Sequence, residues 1–325
     1  MTMSKSIFIP GGAGYLGSVL VGRLLGQGYK VIVYDNLMYS QSSLLQYCSN
    51  PNFKFILGDV ENKNIEYLKL LTASDYIFPL AALVGAPSSN RELRKSATIN
   101  HSSIVKIVKE CNKYNPNVRI IFPTTNSGYG TKSGEIVCDE TTPLEPISPY
   151  GRDKVAAEKA LLENYKNVIT LRLATVFGVS PRMRLDLLVN YSVWKTVTDK
   201  VLCVPEDIKD NMRNYIHILD VADCFLFCIE NFDKMKGEPF NVGNYFENRS
   251  VLELSEQIAR QVGCELVITR HYKDPDKRNY IVNNDKIKRF GFQANRIVAS
   301  EIPNLIKVCE MIKMNNYGRT PHKNA

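Results

Sequence analysis

The sequence predicts an α/β chain: a doubly wound parallel sheet with a smaller, interleaved C-terminal lobe. Three observations predict it. Short apolar, β-prone runs alternate with helix-like stretches through the first half of the 325 residues. The first of those runs meets the spaced glycines of Gly11-Gly12-Ala13-Gly14-Tyr15-Leu16-Gly17. The second run ends in an acid, Asp35. Runs of this kind, bounded by turns and separated by helices, belong to strands covered on both faces.

Taken in order, Ser6–Pro10 is the first predicted strand and Gly14–Gly26 the first helix. Strand, tight turn and helix together present backbone N–H groups and a positive helix end to a pyrophosphate. Glycine is needed there because a Cβ would hold the phosphates off the backbone. Lys30–Tyr34 is the next strand, and Asp35 lies near the spacing expected of an acid that binds an adenosine ribose. A carboxylate accepts hydrogen bonds from the ribose diol and repels a 2′-phosphate, which favours NAD over NADP. The alternation continues through strands Phe53–Leu57, Tyr76–Pro79, Arg119–Pro123 and Val168–Leu173. The helices between them are Ile65–Leu71, Ser96–Tyr114 and Pro149–Tyr165. Ligands of such sheets bind beyond the carboxyl ends of the strands.

After Gly178 the pattern loosens. Ser180 to Trp194 reads as a loop feeding a helix, and Tyr215–Phe232 as a turn and a long helix. Glu238–Val242 and Leu266–Arg270 read as strands; Val251–Val262, Asp285–Phe290 and Ala299–Met311 read as helices. The division expected is a cofactor-binding domain over 1–175, to which segments near 213–242 return. A substrate lobe covers 176–314, and 315–325 forms a flexible tail.

Composition bounds the rest. A 44% hydrophobic content is that of a soluble globular enzyme. The net charge of +8 comes without a long basic run or a basic stripe carrying aromatics, which argues against nucleic acid. The eight cysteines are dispersed, with no C-x-x-C pair and no clustering with histidine, so no metal site is expected. They read as reduced thiols of a cytoplasmic protein. No apolar run is long enough to span a bilayer, and no membrane partner is expected.

The chemistry lies in Tyr150-Gly151-Arg152-Asp153-Lys154. Tyr150 and Lys154 fall one helical turn apart on one face. A phenol titrates near pH 10 and is a poor base at neutrality. An ammonium beside it stabilises the phenolate, and the same lysine can hold a nicotinamide ribose. Tyr150 is thereby a general base for an alcohol being oxidised, or an acid for a ketone being reduced. The strand ending in Thr124-Thr125-Asn126-Ser127-Gly128-Tyr129-Gly130 offers the Thr125 hydroxyl to the same substrate oxygen.

With these residues in view, the chain resembles the extended short-chain dehydrogenase/reductases, the NAD-dependent nucleotide-sugar epimerase/dehydratase group. The resemblance runs over nearly the whole chain. Beyond the motifs above it rests on Gly58-Asp59-Val60, Leu80-Ala81-Ala82, Asn100, Leu171 to Gly178 and Arg213 to Ala222. It implies a Rossmann-type sheet. It implies that Gly11, Gly14, Tyr15, Leu16, Gly17, Asp35, Asn36, Asp59, Val60, Leu80, Ala81 and Ala82 form the NAD groove. Asn100 would support Lys154 through a water, Thr125 and Tyr150 would act on the sugar hydroxyl, and Lys154 would hold the ribose. Arg213 and Arg278 would grip the diphosphate with bidentate forks. Asn126, Thr175, Arg182 and Asn190 complete the implied substrate set. Two departures stand out: Pro79 replaces a histidine common before Leu-Ala-Ala, and Thr175 replaces an asparagine.

Absences narrow the reaction. The 4,6-dehydratases of this family carry Asp-Glu after the catalytic threonine, where this chain has Asn126-Ser127. The 3,5-epimerases carry a cysteine in the same loop, and none lies between Thr124 and Gly130. Nicotinamide redox at one sugar hydroxyl, C4, remains. The chain looks most like the GDP-heptose 4-dehydrogenases of bacterial capsule biosynthesis, which favours a GDP-linked sugar. A 4-epimerase with a transient ketone is the alternative, and a catalytically inactive NAD-binding scaffold a lesser one. The resemblance also implies a homodimer through helices Ser96–Tyr114 and Pro149–Tyr165. Ile104, Ile107, Val108, Val155 and Ala156 would form that contact or pack on the sheet.

Overall fold

The computed structural model describes residues 4–62, 65–132, 136–270 and 277–315. In chain order its strands are β1 Ser6–Pro10, β2 Lys30–Asp35, β3 Phe53–Leu57, β4 Tyr76–Ile77, β5 Arg119–Thr125, β6 Val137–Cys138 and β7 Val168–Leu173. They continue as β8 Thr175–Phe177, β9 Val201–Pro205, β10 Met212–His217, β11 Glu238–Val242, β12 Asn248–Ser250, β13 Glu265–Thr269 and β14 Ile281–Val282. The α-helices are α1 Tyr15–Gly26, α2 Ile65–Ala73, α3 Ala86–Arg91, α4 Leu93–Ala97, α5 Ser103–Tyr114 and α6 Pro149–Asn164. They continue as α7 Leu188–Asp199, α8 Ile218–Glu230, α9 Phe232–Met235, α10 Val251–Val262, α11 Asp285–Arg289 and α12 Val298–Asn315.

Seven strands form one parallel sheet in the order β11-β7-β5-β4-β1-β2-β3. The chain winds outward from β1 in both directions, so a crevice opens beyond its carboxyl end. Apolar side chains fill both faces. Ile7, Ile9, Val31 and Val33 meet α1 and α8 on one side, while Phe8, Ile77, Ile120 and Phe122 meet α2, α5 and α6 on the other. A second core, with Phe177, Val193, Trp194, Leu254 and Leu305, joins α7, α10 and α12 in the smaller lobe. That lobe holds a three-stranded sheet, β12-β10-β8, and the β9–β13 pair.

Strands β1, β3, β7 and β11 and helix α10 have the bounds the sequence predicts. Four differences are informative. The helix expected over Ser96–Tyr114 is interrupted: α4 runs into a π-helical turn, Thr98–Ser102, before α5 begins. The strand expected over Tyr76–Pro79 pairs only through Ile77. Beyond it the chain bends over the glycine turn, and Leu80 and Ala81 both donate their N–H to the Pro10 carbonyl at 2.8 Å. The turn expected near Tyr215 is strand β10, which pairs with β8 in the small sheet. Only α8 and β11 of the 213–242 stretch therefore rejoin the main sheet. Finally, Ile104, Ile107 and Val108 are buried against Phe8, Ile77 and Ala157, so they are core rather than partner surface. Val155 and Ala156 are half-buried. The tail expected to fray lies, from residue 316, outside the described residues.

Among the described residues no helix is long and apolar enough to cross a membrane. Cys111, Cys138, Cys224, Cys228 and Cys309 are buried, whereas Cys48 and Cys203 are exposed.

Candidate active site

A cleft of about 310 Å³ runs across the carboxyl ends of the central strands, and both lobes line it. Its floor is the glycine turn. Gly11 has φ +80°, and a Cβ there would come within 2.3 Å of the Ala81 nitrogen. A Cβ on Gly17 would meet the Gly12 carbonyl oxygen at 2.5 Å. Both positions therefore need glycine for close approach, and Gly11 needs it for its conformation as well. Helix α1 starts at this turn with Gly14 at its N-cap, no side-chain cap and no acid in its first turn. Its first N–H groups and positive end are thus left for an anion.

The groove fits NAD along its length. Asp35 accepts hydrogen bonds from the Ala13 N–H at 3.0 Å and the Leu37 N–H at 2.9 Å, and it lines the cleft. Burial raises its pKa, and those two N–H groups work against the rise. Asn36 donates to the Asp59 carboxylate at 2.8 Å, fixing the two neighbouring walls. Gly14, Tyr15, Leu16, Asp59, Val60, Leu80, Ala81 and Ala82 line the same groove.

At the other end stand Thr125, Tyr150 and Lys154, all on the cleft wall. Helix α6 delivers the last two. Ser148 caps it by accepting from the Gly151 N–H at 3.1 Å, and Pro149 supplies a preset φ in the first turn. Lys154 is buried, with its ammonium 3.9 Å from the centroid of the Phe122 ring. One turn further, Glu158 takes two hydrogen bonds from Arg172, at 2.9 and 2.7 Å, and one from the Thr124 hydroxyl at 3.0 Å. This buried pair ties α6 to the ends of β5 and β7. Thr125 Oγ1 lies 2.8 Å from Ser127 Oγ and accepts from the Ser127 N–H at 3.1 Å.

The electrostatics differ from the expectation in one respect. Burial raises the Tyr150 phenol, and the cations that pull it back are Arg184 and Arg278, not Lys154. Burial pushes Lys154 itself down to about 7, with Glu158 opposing. An ammonium withdrawn from water into an apolar niche is a costly charge, so near neutrality it is protonated only part of the time and supports a phenolate correspondingly less. Arg278 donates to Ser127 Oγ, while Arg184 is held by Asp186 at 3.1 and 2.6 Å. The two guanidiniums thus stand on the cleft wall with the tyrosine.

Several expected contacts lie elsewhere. Arg213 is buried with its guanidinium 5.7 Å from the Tyr280 ring centroid, and Tyr280 rather than Arg213 lines the cleft. Asn190 is wholly buried: it accepts from the Gly178 N–H and donates to Tyr15 Oη and the Arg184 carbonyl. It positions the loop instead of facing the cleft. Asn126 is also buried and off the cleft wall. Asn100 sits in the π-helical turn, accepts from the Leu83 N–H and donates to the Leu83 carbonyl and Ser96 Oγ. It holds the loop after β4 and is not itself on the cleft wall. Thr175 and Arg182 do line the cleft, but Arg182 lies over Tyr39, at the Asp35 end. Arg184, Ser127, Tyr39 and Tyr280 were not among the expected contacts. The Arg-x-Arg spacing of 182–184 was the available signal for the first.

Comparison with known proteins agrees with this geometry. Residues 7–243 match the family model described as "NAD dependent epimerase/dehydratase family". The CDP-paratose 2-epimerase of Salmonella typhi is 29% identical over 311 residues, covering 86% of this chain and 92% of that protein. The UDP-glucose 4-epimerase of Streptococcus mutans is 26% identical and covers 83% of this chain and 86% of its own. Among solved structures, a UDP-glucose 4-epimerase of Thermotoga maritima, with UDP-glucose, superposes with a TM-score of 0.80 at 26% identity, over 95% of this chain and 99% of that one. A Bacillus cereus UDP-glucuronic acid 4-epimerase, in complex with UDP-glucuronic acid and NAD, gives 0.83 at 23% identity, over 94% of this chain and 99% of that one.

Proposed function

We propose, on the premise that this chain belongs to the NAD-dependent epimerase/dehydratase family and is an NAD-dependent enzyme of nucleotide sugars, that it oxidises the C4 hydroxyl of its substrate. The observation that carries this reading is the convergence of Thr125, Tyr150 and Lys154 on the wall shared with the cofactor groove. The preferred substrate is GDP-heptose, and the product a 4-keto sugar for capsular polysaccharide.

Bound NAD supplies the hydride acceptor. The chain's own residues orient and move the proton. Thr125 Oγ1 and Tyr150 Oη address one sugar hydroxyl. Tyr150 takes its proton as the carbon-bound hydrogen leaves with its electron pair. The alcohol becomes a ketone, with its hydride passing to the acceptor that NAD would supply, and the proton passes from Tyr150 to solvent. Arg184 and Arg278 favour the phenolate needed at the start. Arg278, which donates to Ser127 Oγ, is also the cation we assign to the substrate diphosphate. Asn126-Ser127 supplies no carboxyl group for removing water, so dehydration has no acid–base pair in this loop.

A second reading keeps the ketone in place: a 4-epimerase, in which the hydride returns to the opposite face. The 4-epimerases among the relatives favour it. Incubating the purified protein with GDP-heptose and following 4-keto product and reduced nicotinamide separates the two. Ketone release with stoichiometric reduced cofactor is expected. Clean conversion to the C4 epimer without ketone rejects the dehydrogenase. A cytoplasmic homodimer belongs to the same proposal; α4 and α5 keep Leu93, Val105 and Tyr114 exposed for a partner.

A further inference from the structure

The two lobes touch across the adenosine end of the cleft. Tyr39 belongs to the loop after β2, on the cofactor side, and Arg182 to the loop after β8, on the substrate side. Both line the cleft, and the Arg182 guanidinium lies 4.5 Å from the centroid of the Tyr39 ring. Arg182 is only 5% exposed.

Each half is built to hold that contact. The Tyr39 N–H donates to Gln41 Oε1 at 3.1 Å, and Gln41 Nε2 donates to Asp35 at 3.3 Å. Leu37 and Ser40, on either side of Tyr39, have φ of 50° and 52°, a region costly for side chains with a Cβ. The loop thus accepts strain to present the ring. On the opposite side, Arg182 donates its N–H to Ser180 Oγ at 3.3 Å and Nη1 to the Met183 carbonyl at 3.1 Å. Ser180 Oγ in turn donates to the Tyr15 carbonyl at 2.7 Å, on the glycine turn itself.

We propose that Arg182 and Tyr39 form a clasp over the adenosine-ribose end of the groove, and that this clasp, rather than sugar binding, is the function of Arg182. The groove beneath it is that of Asp35, the residue placed for the ribose diol. NAD leaves only when the cation and ring part, so the contact slows its release. This rests on the cofactor and not on the identity of the sugar or the fate of its ketone.

The test is release of cofactor from the purified holoprotein, followed by exchange of bound NAD for isotopically labelled NAD. Arg182→Met and Tyr39→Leu remove the cation or the ring while keeping apolar bulk. Each is expected to release NAD about 3- to 30-fold faster, the range set by a cation–π contact of roughly 0.5–2 kcal/mol. The double variant should be no faster than the quicker single one. Tyr39→Phe keeps the ring face and should stay slow. The KM for the nucleotide sugar should move by less than about threefold, whichever sugar is turned over. Unchanged exchange in both single variants overturns the clasp, and so does a sugar KM that climbs while exchange stays slow. Additive effects in the double variant do the same, because the two residues then act separately.

Discussion

At the scale of single residues, the site depends on two buried groups whose burial disfavours their charged forms. Tyr150 stays a neutral phenol until the nearby guanidiniums and a bound substrate favour its ionised form. Tyr150→Phe should abolish turnover, by at least a hundredfold, while the protein still purifies with NAD; ultraviolet absorbance after denaturation reads the cofactor. Lys154 makes a complementary prediction. Its pKa in the folded protein, about 7, lies below the ordinary lysine value, so the unfolded chain binds the extra proton at intermediate pH. The penalty is therefore fully present below pH about 7 and is relieved as pH rises toward the unfolded value. Lys154→Met should lose turnover yet melt higher than the wild type in cofactor-free protein at pH 7. That advantage should shrink between pH 7 and 9; a constant difference across the range would refute the assignment. The spacing of Tyr150 and Lys154 was legible because four residues on a helix fix a shared face. The position of Arg213 was not, because Tyr280, some seventy residues away in sequence, decides whether that guanidinium reaches the cleft.

At the scale of elements, the glycine turn was readable to the residue. A tight turn between a buried strand and a helix leaves few sequence solutions. Gly11→Ala would drive a methyl group into the backbone of Ala81 while straining a left-handed φ. Loss of co-purified NAD and a lowered melting temperature are expected, and ordinary cofactor content in a stable Gly11→Ala protein would contradict the fit. The π-helical turn at Thr98–Ser102 shows the opposite case. Its apolar periodicity continues from α4 into α5, so an uninterrupted helix satisfies the pattern. The extra residue per turn is set by Asn100, whose amide is spent on both backbone groups of Leu83. No local signal marks a break made by a contact with another loop. Strand β8 escaped detection for a related reason: three residues are too short to show alternation.

Across the whole molecule, the lobes are joined through the phenol of Tyr15. It donates to the Gly178 carbonyl at 2.7 Å and accepts from Asn190 at 3.2 Å, so the cofactor turn and the arginine loop share one hydrogen-bonded centre. Tyr15→Phe should cost about 1–3 kcal/mol of stability in urea unfolding, because the Gly178 carbonyl loses its buried donor. It should also raise the sugar KM several-fold with less change in NAD affinity, since Arg184 rides on the loop that Asn190 braces. An unaltered KM would show that the loop holds its place without the phenol. The alternation of strands and helices revealed the main sheet, but not this junction, which unites residues more than 160 positions apart. A single residue, Ala174, separates β7 of the large sheet from β8 of the small one. A fragment cut at that point would also lack β11, the neighbour that covers β7. Its newly bared edge would present unpaired amides and carbonyls to any extended chain, and self-association into aggregates would follow.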